Sequence, residues 1–448
     1  MKRLFALLLA LLMVVGLAAC GNGGTEAPPA ATPGTAGPAQ PTEPGDDGDR
    51  PVLRIGATFT LSGGWAATGS DQREAMMMFL EDRNMQLGPY DVEIWVEDDE
   101  GSVETGLARA RMLVEAHDVH FLFGSHAANV GYAIGEYAVS VGIPYIIPCV
   151  AADDLTQRDA HDLLIRTGWG ASQAMHPFGY WAAQEAGFER IAMMGFDMAF
   201  AHETAAGFAR TFEENGGEIV TRVWTPIGTT DFVPFLSQIP RDVDAVWFQY
   251  MGVEPNRVFT TFRDMGFDMP ILAGSIMTDE HALFELDEDA ALNYPHGTYS
   301  INHWVETSPA PYVRAFADAF YERVGRRASY YAMESYAGFQ LIEAAINEAG
   351  GFIDNFDAFL DAIRSTEVVT AKGRVIIDEW NNPVQDFHVR RVERVEERGG
   401  ELANVLVRTF PQVSQFWIYD PLEFLALPLY GRDFDTAEHN RLLEELRG

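Results

Sequence analysis

The most reactive side chain in the body of the sequence is the thiol of Cys149. A cysteine acts as a catalytic nucleophile when a neighbouring imidazole takes its proton. His176 and His202 are candidate partners, but no motif places either of them beside Cys149. A buried, inert thiol is the commoner role of a free cysteine, so we expect no catalytic residue at this position.

Acidic and histidine residues elsewhere form no recognised metal or hydrolase motif. The acidic run 97–100 favours a solvated strand end and lacks the ligand spacing of a calcium loop. Glu115, His117 and His120 straddle the junction of a predicted helix and strand. Lys372 is followed by glycine, so it cannot complete a phosphate-binding Gly-Lys-Ser/Thr loop, and no Gly-x-Ser-x-Gly elbow occurs. The sequence therefore predicts no metal, no cofactor and no enzymatic activity.

Length and charge narrow the remaining classes of function. The chain has 448 residues, of which 47% are hydrophobic, enough for two or three domains with sizeable cores. It carries 66 Asp and Glu against 31 Lys and Arg, a formal net charge of −35. Such a surface repels nucleic acid and anionic lipid headgroups. We expect neither as a direct partner.

The N-terminus has the pattern of an export signal. Lys2 and Arg3 precede an apolar run, residues 4–17, that is too short to cross a bilayer comfortably. The following Leu17-Ala18-Ala19-Cys20-Gly21 resembles a bacterial lipobox. That resemblance implies cleavage before Cys20 and its diacylation, which would anchor the chain to a membrane. An ordinary secretory signal with an incidental cysteine is the alternative.

From residue 53 onward, strand-like and helix-like segments alternate, and the rhythm restarts near residue 190. The predicted strands are 53–59, 92–96, 119–123, 144–147, 191–195, 218–224, 245–250, 271–273, 374–377 and 386–392. The predicted helices are 71–85, 103–116, 133–141, 203–215, 231–238, 257–265 and 330–350. Two similar passages of this kind predict an α/β fold of two doubly wound parallel-sheet lobes, with ligands at the carboxyl ends of the strands.

These segments define the expected domain organisation. Residues 1–19 are the signal peptide and 20–51 a flexible spacer rich in Gly and Pro. The globular part is divided into 52–170 for the first lobe, 171–300 for the second, 301–373 for a return to the first lobe with the long helix, and 374–448 for a return to the second lobe and a C-terminal tail.

Several ordered segments resemble the leucine/isoleucine/valine-binding family of solute-binding proteins, the type I periplasmic binding proteins. They include Ile55-Gly56 with Leu61-Ser62-Gly63, then Gly142-Ile143-Pro144-Tyr145, and then Thr225-Pro226-Ile227-Gly228-Thr229-Thr230-Asp231-Phe232. The resemblance implies a Venus-flytrap fold with hinge crossovers. It also implies an extracytoplasmic protein that captures a small solute and delivers it to the permease and ATPase of an ABC importer.

In the first lobe, the resemblance implies three ligand-binding loops. The loop 62–69 contributes Trp65 and Thr68, although Trp65 could instead pack on its own lobe. The loop 124–129 offers Ser125, His126 and Asn129, or these residues cap the next helix. The loop 149–151 offers Cys149 and Ala151, mainly through backbone groups.

In the second lobe, the implied site residues are Phe200, Tyr250 and Ser275, with core packing as the alternative for Tyr250. Amino-acid-binding members place a carboxylate after the strand 271–273, where this sequence has Gly274-Ser275-Ile276, and Asp279 is a candidate substitute. The expected solute is an amino acid, an amide or urea-type compound, or an aromatic acid. The missing carboxylate favours the acids and amides. The alternative functions are a sensor that passes ligand occupancy to a membrane receptor and a secreted hydrolase.

We predict that Cys20→Ala abolishes lipid attachment, because the acylated sulfur is then absent, while the globular part still folds. Metabolic labelling with a radioactive fatty acid and detergent phase partitioning measure the attachment. Cys149→Ala is the matched control and should keep the label. Equal labelling of the Cys20→Ala and unmodified chains would show that the anchor lies elsewhere.

Overall fold

The computed structural model describes residues 50–287 and 295–448. The predicted signal peptide 1–19, the lipidation candidate Cys20 and nearly all of the predicted spacer lie outside these ranges. Within the described ranges, no helix has both the length and the apolar character needed to cross a bilayer.

The first lobe is built on a sheet that has six strands among the described residues, in the order β2-β3-β1-β4-β5-β6. All neighbours are parallel except the short β2, which is antiparallel to β3. The strands are β1 (Val52–Phe59), β2 (Gln86–Leu87), β3 (Tyr90–Asp98), β4 (Phe121–Gly124), β5 (Tyr145–Ile147) and β6 (Leu164–Arg166). Their intervening helices are α1 (Ala66–Glu81), α2 (Val103–His117) and α3 (Ala128–Val141).

The second lobe is built on a sheet of nine strands in the described chain, in the order β12-β13-β14-β11-β10-β9-β7-β8, with β15 on β14. Strands β7 to β11 are parallel, and β12 to β15 add an antiparallel half. The strands are β7 (Arg190–Phe196), β8 (Glu218–Thr225), β9 (Ala245–Gln249), β10 (Ile271–Ala273), β11 (Tyr299–Asn302), β12 (Val368–Thr370), β13 (Gly373–Ile377), β14 (Pro383–Val395) and β15 (Glu401–Val413).

The remaining helices cover the two sheets and the C-terminus. They are α4 (Ala171–Gln184), α5 (Ala199–Glu214), α6 (Val233–Leu236), α7 (Glu254–Asp264), α8 (Glu280–Asp287), α9 (Pro311–Val324), α10 (Tyr330–Ala349), α11 (Phe356–Ser365), α12 (Pro421–Ala426) and α13 (Thr436–Arg447). Helices α10 and α11 pack with α1 on one face of the first sheet, and α2 and α3 cover the other face. The doubly wound architecture predicted from the alternating pattern is therefore confirmed.

Several predicted helices begin too late, for example at 133 where α3 begins at Ala128 and at 203 where α5 begins at Ala199, and two others differ for local reasons. Helix α1 begins at Ala66, five residues early, and ends before Asn84 and Met85, whose φ angles are 53° and 56°. Position 69 of this helix is a glycine because a Cβ there would be 1.9 Å from the carbonyl oxygen of Thr60. Helix α6 is a single turn rather than 231–238, since Asp231 stays outside it and accepts a hydrogen bond from the Val233 N–H.

The thirteen-residue strand β15 is absent from the predicted elements. It pairs with β14 over most of its length, with irregularities in register. The buried residues of β15 therefore do not alternate strictly with exposed ones, and the period of two that identifies a strand in sequence is lost.

The chain passes three times between the lobes, and one buried lysine touches all three passages. Lys372, between β12 and β13, donates to the carbonyl oxygens of Thr167 (2.7 Å) and Gly168 (3.2 Å) in the connection from β6 to α4. Its ammonium also lies 2.8 Å from Oε2 of Glu334 in α10. Oε1 of Glu334 lies 2.5 Å from Nε2 of His303, directly after β11.

This hinge cluster, Lys372, Glu334 and His303, is shielded from solvent, with each residue at most 3% exposed. Burial by itself would raise the pKa of Glu334, but His303 and Lys372 hold it below its ordinary value. A buried charge without its partner costs far more than the intact pair contributes. The cluster therefore stabilises the relative positions of the three connections only when all three of its residues are present.

We predict that Lys372→Met destabilises the chain by about 3–5 kcal/mol, because it leaves the Glu334 carboxylate buried without its cation. Urea unfolding measures the loss. Arg374→Met, which removes an exposed ion pair with Glu367, is the control and should leave the midpoint almost unchanged. In the Glu334→Gln background the Lys372→Met effect should shrink. An undiminished effect there would contradict the pairing.

Candidate functional site

A cavity lies between the lobes, at the carboxyl ends of the strands of both sheets. The space left inside it is about 20 Å³, room for roughly one water molecule, so the wall must widen to admit a larger solute. The first lobe supplies its wall from the residues after β4 and β5, namely His126, Ala127, Ala128, Cys149 and Ala151. The second lobe supplies residues near the ends of β7, β9 and β10, namely Met198, Phe200, Met251 and Ile276.

Three aromatic residues from the interlobe connections complete the wall: Trp169 after β6, and Tyr330 and Tyr331 at the start of α10. The Trp169 ring meets Phe200 edge to face at 6.0 Å and Tyr330 at 6.5 Å between centroids. The rings of Tyr330 and Tyr331 are 4.0 Å apart. These packed rings present flat apolar surfaces, which suit a planar or apolar solute.

Sequence reasoning missed these three residues. Their place in the sequence could have indicated a role in the site, because the segments that connect the two lobes must pass the cleft between them. Trp169 follows the strand that ends the first passage, and the tyrosine pair starts the long predicted helix.

No charged side chain lines this cavity in the part of the chain that the structure describes. Asp279, the candidate substitute for the missing carboxylate, is buried behind the wall. Its Oδ1 accepts a hydrogen bond from the Tyr330 N–H at 3.1 Å, and its Oδ2 accepts one from the His281 N–H at 3.4 Å. Burial raises its pKa. Asp279 therefore caps the entry to α10 and is not presented to a solute.

The start of α3 supplies the nearest backbone donors. Ala127 and Ala128 line the cavity, and no side chain caps this helix end. The first N–H groups of a helix have no partner within the helix and carry partial positive charge. The cavity therefore meets a group of N–H donors suited to a carboxylate or carbonyl oxygen. Asn129, one of the predicted site residues, is exposed on α3 and does not line the cavity.

Ser125 is buried behind the same loop. Its hydroxyl donates to Oδ2 of Asp99 at 3.2 Å, and its φ is 62°. Asp99 also accepts from the hydroxyl of Thr60 at 2.6 Å and is fully buried. The expected solvated strand end is thus wrong for Asp99, because its carboxylate ties three loop segments together.

Trp65 and Thr68 lie at the cleft mouth. The indole of Trp65 packs against His126, with ring centroids 5.6 Å apart. It also touches the second lobe, since a Cβ on Gly252 would lie 3.2 Å from its ring. The hydroxyl of Thr68 donates to the Trp65 carbonyl oxygen at 2.8 Å and lies 3.3 Å from Nδ1 of His126. The two lobes therefore touch over the cavity, and Trp65 covers it.

The predicted free, buried thiol of Cys149 is confirmed. Burial raises its pKa well above the ordinary value, and neither candidate histidine pairs with it. Nε2 of His176 lies 3.0 Å from the Tyr430 hydroxyl, and Nε2 of His202 lies 3.0 Å from Oδ1 of Asp197. Cys149 therefore contributes to the cavity wall as a neutral, apolar group.

The other predicted residues separate into wall and core. Ala151 and Phe200 lie in the wall. Tyr250 is fully buried outside it, with its hydroxyl 3.2 Å from that of Thr225. Ser275 is buried too, and its carbonyl oxygen accepts from Arg390 at 3.1 Å. The structure thus brings His126, Cys149, Ala151 and Phe200 together.

A polar contact joins the lobes beside the cavity. Oδ2 of Asp71, a buried residue of α1, lies 2.6 Å from Nε2 of His281 in α8. Arg326 binds the same carboxylate with two nitrogens, and the Ser329 hydroxyl donates to it at 2.5 Å. Burial would lower the pKa of His281, but its hydrogen bond to Asp71 raises it. We call Asp71, His281 and Arg326 the interlobe latch.

Two facing lobes, hinge connections and an enclosed cavity between strand ends define the class of small-solute-binding proteins that close around their ligand. The model of the periplasmic binding protein family matches residues 52–400, and the chain belongs to this family. The Leu/Ile/Val-binding protein homolog 6 of Brucella suis is 22% identical over 368 residues, 80% of this chain and 92% of the homolog.

Solved structures share the same architecture. An ABC transporter substrate-binding protein from Sphaerobacter thermophilus is 27% identical, with a TM-score of 0.76 over 81% of this chain and 99% of that one. A solute-binding protein of an ABC transporter from Rhodopseudomonas palustris, in complex with 3,4-dihydroxybenzoic acid, is 23% identical, with a TM-score of 0.74 over 81% of this chain and 98% of that one. These likenesses agree with the fold described above.

We predict that the interlobe latch weakens as the pH rises. The pKa of His281 is raised in the folded chain, so its stabilising contribution is complete below the unfolded value of about 6.5 and is lost as pH passes the folded value. Unfolding free energies of the unmodified chain and His281→Asn, measured from pH 6 to pH 9, should differ most at pH 6. In an Asp71→Asn background this pH dependence should vanish. A constant difference across the range would contradict the latch.

Proposed function

We propose that the chain is the substrate-binding component of an ABC importer and that it captures a small aromatic or apolar acid or amide. The observation that carries the proposal is the composition of the cavity wall. Packed aromatic rings cover the body of the solute, uncapped helix N–H groups meet one polar end, and no charged side chain of the described residues lines the wall.

The same wall disfavours a zwitterionic amino acid. An ammonium group buried without a carboxylate loses several kcal/mol. Cation–π contact with the tyrosine and tryptophan rings would recover about 2 kcal/mol at best. Asp279, the candidate partner for such an ammonium, is occupied with backbone N–H groups outside the wall. A carboxylate or carbonyl end needs no such counter-charge, because the N–H groups of α3 supply donors.

The neighbouring proteins support this choice of chemistry. The Rhodopseudomonas palustris neighbour holds 3,4-dihydroxybenzoic acid, whose ring would lie on flat surfaces like those of Trp169 and Tyr330. The Brucella homolog is named as a Leu/Ile/Val-binding protein homolog. Between these two chemistries, the cavity without a charged wall favours the aromatic one.

We further propose that the protein works outside the cytoplasm, tethered through acylated Cys20 and the spacer 20–51. The lipobox-like sequence and the family support this location. The closed form, with Trp65 against the second lobe, would present both lobes together to a permease and ATPase complex. Closure would thus report occupancy to the importer.

We predict that benzoate and benzamide bind to the purified chain and that leucine binds at least roughly tenfold more weakly than the better of the two, by calorimetric titration. Phe200→Ala should weaken the aromatic ligands by about 1.5–3 kcal/mol, the value of burying a large apolar side chain. Tyr250→Phe, which changes only a core hydroxyl, is the matched control and should bind normally.

Uptake of the labelled ligand by cells lacking the gene, with and without a restored copy, tests the importer role. Lost uptake that returns with the gene supports transport. Leucine binding that is tighter than that of both aromatic ligands, and unaffected by Phe200→Ala, would overturn the proposed solute class.

A further inference from the structure

His126 is the one ionisable imidazole in the cavity wall of the described chain. It is 7% exposed and is wedged between two rings, with centroid distances of 5.6 Å to Trp65 and 4.8 Å to Tyr331. Burial lowers its pKa to about 4. At neutral pH the imidazole is therefore uncharged, with one nitrogen carrying a hydrogen and the other a lone pair.

Thr68 determines which nitrogen carries the hydrogen. A hydroxyl has a single hydrogen to donate, and the Thr68 hydroxyl donates it to the carbonyl oxygen of Trp65 at 2.8 Å. Toward Nδ1 of His126, 3.3 Å away, the same oxygen can then only accept. These two contacts favour the tautomer of His126 that has its hydrogen on Nδ1 and its lone pair on Nε2.

Nε2 is thus the part of His126 available to a solute. His126 lines the cavity, and among the described residues only its Nδ1 has a hydrogen-bond partner. The next residues along the chain, Ala127 and Ala128, bring the uncapped N–H donors of α3 to the same wall. One end of the cavity therefore combines a hydrogen-bond acceptor with neighbouring donors.

We propose that Nε2 of His126 accepts a hydrogen bond from the solute, so that this end of the cavity selects a carboxamide over the matching carboxylate. This inference rests on the proposed function and narrows its solute class. A carboxamide offers an N–H donor and a carbonyl acceptor side by side, which matches the imidazole nitrogen and the helix N–H groups. A carboxylate has no hydrogen to donate and places a negative oxygen against the lone pair.

Thr68 is the positioning residue for this selection, because it acts on the solute only through the tautomer of His126. Without its hydroxyl oxygen, His126 is free to carry its hydrogen on Nε2, where it would donate to a carboxylate. Rejection of a ligand that leaves a buried acceptor unpaired is typically about ten- to hundredfold.

The test compares benzamide with benzoate by calorimetric titration at pH 7.5. We expect benzamide to bind about ten- to hundredfold more tightly. Thr68→Val should reduce this ratio at least roughly fivefold, and Thr68→Ser should restore it. Thr261→Val, which removes a similar helix hydroxyl bond far from the cavity, is the matched control and should keep the ratio. An unchanged ratio in folded Thr68→Val, or a ratio in favour of benzoate in the unmodified chain, would overturn the proposal.

Nitrogen-15 spectra of the histidine-labelled chain test the tautomer of His126 directly. We expect the His126 resonances to show hydrogen on Nδ1 in the unmodified chain and a shift toward the Nε2 form in Thr68→Val. Hydrogen on Nε2 in the unmodified chain would refute the tautomer assignment.

The outcomes separate this inference from the proposed function. Tighter benzoate binding that is sensitive to Phe200→Ala would refute the amide preference and leave the aromatic importer substrate in place. Failure of both ligands, with leucine bound, would refute both proposals.

Discussion

The buried contact of Lys372 with Glu334 and with the first interlobe connection is the constraint on which the two-lobed arrangement depends. Each lobe has its own sheet and core, and this cluster links the three connections, beside hydrogen bonds such as those from the Ala371 N–H to Gln340 and from Gln385 to the Gly168 carbonyl oxygen. Because the charges are fully shielded, a rearrangement that separated them would expose an uncompensated charge in an apolar setting. The lobes can therefore rotate about the cluster more readily than they can pull it apart.

The geometry of the cavity depends on this contact of Lys372. Trp169 lies one residue after Gly168, which accepts from Lys372, and Tyr330 and Tyr331 lie one turn before Glu334 on α10. The rings that form the wall are thus positioned by the same elements that hold the hinge. Contacts farther from the hinge, such as Trp65 with Gly252 and Asp71 with His281, join the lobes across the cleft.

The fold could be predicted from sequence because alternating strands and helices, twice in succession, leave few arrangements that bury both faces of a parallel sheet. The family resemblance then indicated the loops after β4 and β5 as parts of the site. The aromatic wall could not be predicted, because Trp169 and the tyrosine pair belong to connections whose paths depend on how the lobes dock. For Ser125 and Asn129, the position of the loop was predicted but the direction of the side chains was not. A single turn decides whether a side chain faces the cavity, the core or water.

The isolation of Lys372 has a practical consequence. Lys2 and Lys372 are the only lysines in the sequence, and Lys372 is 3% exposed with its ammonium fully engaged. Amine-reactive dyes and cross-linkers will therefore find no exposed lysine on the globular part of the folded chain. Label that does appear on Lys372 would report transient opening of the hinge. The rate at which the Lys372 amine is acylated would then measure how often the hinge opens.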